Sequence, residues 1–196
     1  MEPKDKNFLD LGCGRHTDRE GKWTLPESEY TPIFAALRGA KKVVGVDSRD
    51  TEQEYFENYF KSNFPNIESH FYTSLIENSQ QVKELVTNHS IDYIKTDIEG
   101  FETLFLDWVK EDFNSISDFV IEYHSDEIKD SFLSKLNDWG FEVYAHGITW
   151  CNTIGVLFTK KLRMFKLVDC TENYWEFVRL TRTDEQNSNW FLLNQT

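Results

Sequence analysis

Short apolar runs alternate along the chain with segments in which apolar residues recur every third or fourth position. Runs of the first kind predict buried strands, and segments of the second kind predict amphipathic helices. Regular alternation of the two is typical of βαβ units, in which helices cover both faces of a parallel sheet. Strands are predicted in this way over 8–11, 42–46, 69–73, 91–96 and 118–123. The predicted helices span 31–38, 52–62, 80–88, 101–110 and 126–139.

The two remaining apolar runs, 141–146 and 153–159, follow one another without room for a helix between them. Consecutive strands joined by a short loop pair antiparallel. We therefore expect a Rossmann-like α/β fold: a mostly parallel seven-stranded sheet with a terminal antiparallel strand pair and helices on both faces. This order of elements is the layout of class I S-adenosylmethionine (SAM)-dependent methyltransferases. We expect that domain to span residues 1–160, and residues 161–196 to form a C-terminal extension that packs on the domain or covers the site.

Composition and charge narrow the function classes. Aromatic residues make up 15% of the 196 residues, which argues for a packed domain and against disorder. The formal net charge of -13 repels a phosphate backbone, so we expect no nucleic acid partner. Three scattered cysteines without a CxxC pair indicate reduced thiols. Because no apolar stretch has the length of a signal peptide or a membrane span, we expect a cytoplasmic protein. A homodimer is also considered.

The first predicted strand runs into a glycine-containing turn. Asp10 and Leu11 are followed by Gly12, Cys13 and Gly14. Glycines at such a position let the backbone approach a ligand closely. The third glycine of a dinucleotide-binding GxGxxG is replaced by Thr17, which disfavours a pyrophosphate-containing cofactor. The methionine part of SAM contains no pyrophosphate, so Asp10, Gly12, Cys13 and Gly14 are candidate SAM contacts, with a simple tight turn as the alternative.

The second predicted strand ends in an acidic residue. Asp47 follows an apolar run and is followed by Ser48. A carboxylate at the end of this strand can accept hydrogen bonds from both hydroxyls of a ribose. A helix-capping role is the alternative for Asp47 alone. Because the two features lie on adjacent strands, we predict SAM as the cofactor, held at the ends of the first, second and fourth strands by residues that include Asp47 and Ser48.

The segment 91–102 is the most specific motif in the sequence. It resembles the signature of the FkbM family of methyltransferases, in which the fourth strand ends in a K-x-D-x-E-G-x-E pattern. The matching residues are Lys95, Asp97, Glu99, Gly100 and Glu102. The fifth strand is similar to that family's strand ending in a histidine, here His124. The resemblance covers residues 7–159 and implies a class I fold, SAM as methyl donor and usually an oxygen acceptor, often on sugars, glycolipids or other secondary metabolites.

Several charged residues of this segment are candidates for the chemical step. Asp97 and Glu99 would flank the cleft where the sulfonium cation and the acceptor meet, and Asp97 is also a candidate cofactor contact. Asp97, Glu99 or His124 could take the proton from an acceptor hydroxyl. Lys95 would pair with an internal carboxylate, for which Glu122 is a candidate, because an unpaired buried lysine is costly.

Less specific roles remain open for the same residues. Glu99 could only orient SAM, and Glu102 could only begin a helix favourably through its dipole. Asp97, Glu99, Glu122 and His124 could also supply oxygen and nitrogen ligands for Mg²⁺. The spacing does not require an ion, so Mg²⁺ is possible but not expected and no metal ligands are assigned. The long connection 15–30 could form a lid over the cofactor or the substrate.

Three hypotheses follow for the function. The first is a SAM-dependent methyltransferase that methylates a hydroxyl on a sugar, glycan or small metabolite. The second is a degenerate methyltransferase fold that serves as a binding or assembly module, which the aromatic tail favours and the intact segment 97–102 opposes. The third is an NAD-dependent oxidoreductase, which Thr17 and the terminal strand pair disfavour.

Overall fold

A computed structural model of the chain describes residues 3–15, 30–98, 101, 115–123, 126–138, 142–148, 155–160 and 169–170. The strands are β1 (Asn7–Leu11), β2 (Lys42–Asp47), β3 (Glu68–Thr73), β4 (Tyr93–Thr96), β5 (Asp118–Tyr123), β6 (Glu142–Ile148), β7 (Gly155–Lys160) and β8 (Asp169–Cys170). The helices are α1 (Thr31–Leu37), α2 (Thr51–Asn63), α3 (Ser79–His89) and α4 (Asp126–Asp138). Apart from Phe101, the predicted helix 101–110 lies outside the described residues, as does the connection 15–30 apart from its two ends.

The strands form a single mixed sheet in the order β3-β2-β1-β4-β5-β7-β6-β8. The five strands from β1 to β5 run parallel, as predicted. Strand β7 lies between β5 and β6 and is antiparallel to both, which confirms the antiparallel pairing of the last two predicted strands. Because the carboxyl ends of the parallel strands meet at one edge, the predicted site residues that follow β1, β2 and β4 are brought to the same side of the sheet.

The predicted count of seven strands is wrong, because the described part of the chain contains eight. The additional strand is β8, which consists of two residues and pairs in parallel with β6. A strand this short has no alternation of apolar and polar residues that could be recognised in the sequence. It places Asp169 opposite His146 at the outer edge of the sheet.

Two apolar cores lie on the two faces of the sheet. Consecutive strand residues point to opposite faces, so Phe8 belongs to one core and Leu9 to the other. Helices α1 and α2 cover the first face with residues such as Ile33 and Phe56. The second face is covered by α3 and α4, with Phe132 fully buried there. This arrangement confirms a Rossmann-like fold with helices on both faces.

Helix α3 has well-defined ends. The Asn78 side chain accepts a hydrogen bond from the Gln81 N–H at 3.1 Å, and the Gln81 side chain accepts one from the Asn78 N–H at 3.2 Å. This reciprocal capping box satisfies donors that the first turn leaves open. The helix ends at His89, before Ser90 in the left-handed conformation with φ 53°. His89, at this end of the helix, contacts Tyr72 and His70 of β3. None of the described helices is long and apolar enough to cross a bilayer.

Candidate functional site

A cleft of about 370 Å³ opens at the carboxyl ends of β1, β2 and β4. Its size falls in the range of small-molecule sites. The lining combines the carboxylates of Asp47 and Asp97 with the apolar side chains of Leu75, Ile76 and Ile98. A lining that combines charged and apolar side chains suits a ligand that carries both hydroxyl groups and a flat ring.

The glycine turn after β1 forms one side of this cleft. Gly12 has φ 75°, and a Cβ at this position would lie 1.6 Å from the backbone oxygen of Asp97. The N–H groups of Gly12 and Cys13 both donate to the carbonyl of Val46, at 2.9 and 3.1 Å. The turn therefore packs backbone to backbone against the end of β4 and is hydrogen-bonded to β2. Only glycine allows this close approach at position 12.

Gly14 leaves room for side chains instead. A Cβ there would lie 1.3 Å from Arg49 Nη2 and 2.6 Å from Asp47 Oδ2. The space above Gly14 thus belongs to the ends of two flexible side chains, in contrast to the rigid backbone that faces Gly12. A side chain at position 12 would therefore collide with backbone, whereas one at position 14 would collide with other side chains.

Asp47 presents its carboxylate at the end of β2. The Arg49 N–H donates to Asp47 Oδ1 at 2.9 Å, and Arg49 Nε donates to the same oxygen at 3.0 Å. The Asp47 side chain is 9% exposed, whereas that of Arg49 is 47% exposed. The hydrogen bond to Asp47 raises the pKa of the Arg49 guanidinium, so this arginine stays charged. Asp47 is therefore an oriented anionic acceptor whose charge is partly balanced by a side chain that reaches the solvent.

A buried ion network lies beneath the cleft. Lys95 Nζ lies 3.2 Å from Asp10 Oδ1 and 3.5 Å from Asp97 Oδ2, and it donates to the carbonyl of Gly12 at 3.3 Å. Burial raises the pKa of Asp10 to about 6, an effect that the nearby Lys95 ammonium opposes. The prediction that Lys95 pairs with an internal carboxylate is confirmed by Asp10 and Asp97. The side chain of Glu122, the suggested partner, lies outside the described residues.

The structure brings part of the predicted site together. Gly12, Gly14, Asp47, Ser48 and Asp97 all line the cleft. Asp10 and Cys13 were also predicted to contact the cofactor, but their side chains lie below the lining. Asp10 is 0% exposed and Cys13 is 2% exposed.

Cys13 belongs to the core formed with α1 and α2. Its sulfur accepts a hydrogen bond from the Tyr30 hydroxyl at 3.8 Å. Burial raises the pKa of the Cys13 thiol, so the group is a neutral packing element at physiological pH. Any contact of Cys13 with a ligand would have to use its backbone.

The remaining predicted residues lie outside the described part of the chain. These are Glu99 and His124, two of the three candidates for proton transfer, together with Gly100 and Glu102. The Mg²⁺ ligand set suggested by the sequence includes Glu99 and His124, so the described structure does not test it. Asp97 is the one candidate for proton transfer that the structure places at the cleft.

The sequence did not indicate several residues of the lining. Leu75 and Ile76 come two and three residues after β3, whose last residue, Thr73, pairs in register with Asp47. Leu75 is 53% exposed and Phe101 is 40% exposed, so both offer apolar surface to the cleft. The available signal was an apolar pair just after a parallel strand that neighbours Asp47.

Arg15 was also missed, and it anchors the end of the glycine turn. Its Nε donates to Glu52 Oε2 at 2.8 Å, and the side chain of Glu52 is 2% exposed. The guanidinium lies 4.0 Å above the ring of Tyr55. These contacts hold the end of the turn against α2, because the buried carboxylate of Glu52 and the ring face of Tyr55 both attract the guanidinium.

Comparisons with solved structures place this fold among the methyltransferases. TrmK of M. capricolum, in complex with S-adenosylhomocysteine, matches with a TM-score of 0.55 and 15% identity over 97% of this chain and 81% of that chain. A ribosomal protein L11 methylase from Lactobacillus delbrueckii subsp. bulgaricus gives 0.52 and 15%, over 81% of this chain and 72% of that one. A Streptococcus pneumoniae protein in complex with S-adenosyl-L-methionine gives 0.52 and 16%, over 83% and 69%.

These similarities show the fold alone, because the identities are low and one fold supports many functions. The chain has the Rossmann-like fold of class I methyltransferases. No protein-family model matches the sequence. No curated protein matches it either. The FkbM resemblance therefore stays a prediction carried by the motif at 95–102.

Proposed function

We propose that this protein is a SAM-dependent methyltransferase that acts on a hydroxyl group of a small molecule or glycan. The observation that carries the proposal is the Asp47 carboxylate at the end of β2, facing a cleft whose side is the Gly12–Gly14 turn. In a Rossmann-like fold this acidic position is suited to the two hydroxyls of a ribose.

The lining of the cleft fits the three parts of SAM. Asp47 would accept hydrogen bonds from the ribose, and the apolar Leu75 and Ile76 would cover the adenine ring. The turn at Gly12 and Gly14 would receive the methionine part, which contains no pyrophosphate. When bound, SAM supplies an electrophilic methyl group on a sulfonium cation.

Charges of both signs line the cleft. The carboxylates of Asp47 and Asp97 lie there together with the guanidinium groups of Arg15 and Arg49, so the formal charges of the lining balance. The sulfonium would be stabilised close to Asp97, whose side chain is 20% exposed, because a carboxylate at a partly enclosed site attracts a cation more strongly than in open water. Lys95, 3.5 Å from Asp97, offsets part of this attraction and also donates to the carbonyl of Gly12.

The acceptor is proposed from the sequence motif. The K-x-D-x-E-G-x-E pattern at 95–102 resembles that of FkbM methyltransferases, which usually act on oxygen. Glu99 follows β4 and His124 follows β5, and these strands are parallel neighbours. The carboxyl ends of both strands meet beside the cleft, so Asp97, Glu99 or His124 would take the proton from the acceptor hydroxyl.

An RNA acceptor is the second candidate. It is favoured by the fold likeness to a Streptococcus pneumoniae protein named as a tRNA (m1A22) methyltransferase and to a Pyrococcus horikoshii protein named as an RNA methyltransferase. The net charge of -13 opposes it, because RNA binding depends on neutralising phosphates with cationic side chains. We therefore place the hydroxyl of a small molecule or glycan first.

The Asp47 role is tested by exchanging its carboxylate for an amide. Asp47→Asn should weaken SAM binding about 10- to 100-fold, which corresponds to the loss of hydrogen bonds to a charged group. Asp50→Asn is the matched control, since Asp50 is exposed and makes no side-chain cap at the start of α2. Equal SAM affinity for both variants in calorimetric titrations would remove the ribose role of Asp47.

The acceptor is tested with labelled SAM. Transfer of the methyl label to a sugar or small-molecule hydroxyl would support the first candidate, and transfer to tRNA would establish the second. Glu99→Gln and His124→Ala should each lower turnover more than SAM affinity if the changed residue is the base. Unchanged turnover in both would leave Asp97 or positioning alone as the account of the step.

A further inference from the structure

A second group of chemically active side chains lies at the edge of the sheet formed by β3. Glu68, His70 and Tyr72 occupy alternate positions of β3 and so share one face of the strand. His89, the last residue of α3, contacts that face. We refer to Glu68, His70 and His89 as the edge triad.

The three side chains of the edge triad converge. His70 Nε2 lies 3.0 Å from Glu68 Oε1, and the ring centroids of His70 and His89 are 4.6 Å apart. One donor atom from each of the three residues lies within 4.8 Å of the other two. The donor atoms of two strand residues and one residue at a helix end therefore lie close enough together to share one ion.

The donor set has the chemistry of a transition-metal site. Two imidazoles and one carboxylate are ligands that Zn²⁺ accepts, with metal–ligand distances of about 2.0–2.2 Å. Tetrahedral ligand atoms are then about 3.3 Å apart, close to the His70–Glu68 separation. The other donor atoms lie within 4.8 Å of one another and need to approach by up to about 1.5 Å. Glu68 and His70 have side chains that are 56% and 39% exposed, so they have room to do so.

From this convergence we propose that Glu68, His70 and His89 bind a divalent transition-metal ion, with Zn²⁺ as the best match to their donor set. Three protein ligands leave a fourth position for water. The proposal is independent of the methyltransferase function. Glu68 begins β3, whereas the cofactor cleft is lined by residues that follow the end of that strand.

Two neighbours modulate the triad in opposite directions. The Tyr72 hydroxyl lies 2.8 Å from His89 Nε2 and orients the ring, as outer-shell partners of metal ligands do. Lys42 pairs in register with Glu68, and its Nζ lies 2.9 Å from Glu68 Oε1. The Lys42 ammonium competes with a cation for the same carboxylate. Removing that ammonium should therefore tighten metal binding.

The test uses the full chain, stripped of metal, with Co²⁺ as a spectroscopic probe and Zn²⁺ as its competitor. We expect visible absorption from Co²⁺ that saturates at one ion per chain and disappears when Zn²⁺ is added. His70→Ala and Glu68→Gln should each weaken binding by more than about 100-fold, since even outer-shell changes typically cost 10- to 100-fold. Both positions are partly exposed, so these variants should fold, whereas His89→Ala removes a buried ring.

Two further variants make the test specific. Lys42→Met should raise the Zn²⁺ affinity several-fold, and Tyr72→Phe should keep most of it because all three ligands remain. Glu127→Gln, an exposed carboxylate on α4, should change nothing. No Co²⁺ absorption at equimolar metal, or binding that survives in both His70→Ala and Glu68→Gln, would overturn the proposal.

Discussion

Asp10 belongs to the motif of the candidate site, but its buried side chain affects the glycine turn only through Lys95. Its carboxylate is 0% exposed and lies 3.2 Å from Lys95 Nζ, which in turn reaches the carbonyl of Gly12. A buried charge of this kind is tolerated only with a partner. Asp10 therefore shapes the glycine turn through Lys95, and a direct contact with the cofactor stays a prediction.

The raised pKa of Asp10 makes a prediction for stability. Its pKa is about 6 in the folded protein and 3.8 as the ordinary value, so the folded state retains a proton that the unfolded state has lost between these pH values. This group's contribution to stability is complete below pH 4 and is lost as the pH rises to about 6. By linkage the loss is roughly 3 kcal/mol.

Asp10→Asn removes this titration. The unfolding free energy of the variant relative to the unchanged protein should therefore rise by roughly 3 kcal/mol between pH 4 and 6. Urea denaturation at several pH values measures the difference, and Asp50→Asn controls for the loss of one exposed acidic group. A difference that does not vary with pH would show that Asp10 ionises normally in the folded protein.

At the residue scale the sequence was informative where the chemistry is local. Asp47 and the glycines could be recognised because each directly follows an apolar run that predicts a strand. The depth of Cys13 could not be recognised, since it depends on Tyr30 and on the packing of α1 and α2. Arg49 was missed because its role depends on the hydrogen bond that its side chain donates to Asp47, two residues earlier.

At the scale of elements, the glycine turn is the part whose geometry is most constrained. Gly12→Ala would place a Cβ against the backbone oxygen of Asp97 and force a side chain into a positive φ. Gly14→Ala would meet only the ends of the Arg49 and Asp47 side chains, which can move. The two substitutions should therefore have different consequences.

We expect Gly12→Ala to destabilise the fold by about 2–4 kcal/mol, because neither the clash nor the strain can be relieved locally. Gly14→Ala should cost less than about 1 kcal/mol but weaken SAM binding about tenfold by displacing Asp47 from its position. Thermal unfolding and calorimetric titration of the two variants separate these effects. Equal loss of stability in both would contradict the assignment of their neighbours.

The strands were predictable to different degrees. The central strands β1, β2, β4 and β5 lie within two residues of the predicted bounds, because burial on both faces makes them rich in apolar residues. Strand β3 was a weaker candidate, since only Phe71 within it is buried. Two of its polar residues, Glu68 and His70, belong to the edge triad, so the residues that weaken the strand signal also supply two of the proposed metal ligands.

At the scale of the whole molecule, the order of elements predicted the fold. The alternation of strands and helices, followed by two strands without a helix, led to the Rossmann-like sheet that the structure contains. The strand count failed only at β8, which is too short to leave a pattern. The acceptor site could not be predicted in the same way, because Glu99 and His124 are assigned by resemblance to one motif and not by packing.

The net charge also acts at this scale. A chain with a formal charge of -13 attracts cations and repels polyanions over distances of about a Debye length. The cleft itself is lined by two carboxylates and two guanidinium groups, so discrimination between cofactors depends there on the glycine turn and not on a net local charge. SAM contains no pyrophosphate, whereas NAD does, and Thr17 stands where a dinucleotide-binding turn has its third glycine.

Calorimetric titration of the folded protein with SAM, S-adenosylhomocysteine and NAD therefore tests the central claim most directly. We predict that both adenosyl ligands bind with one site per chain and that NAD does not bind. This result would establish the cofactor and leave the acceptor as the open question. Failure of both adenosyl ligands to bind a protein shown to be folded would contradict the methyltransferase account and favour a binding or assembly module with this fold.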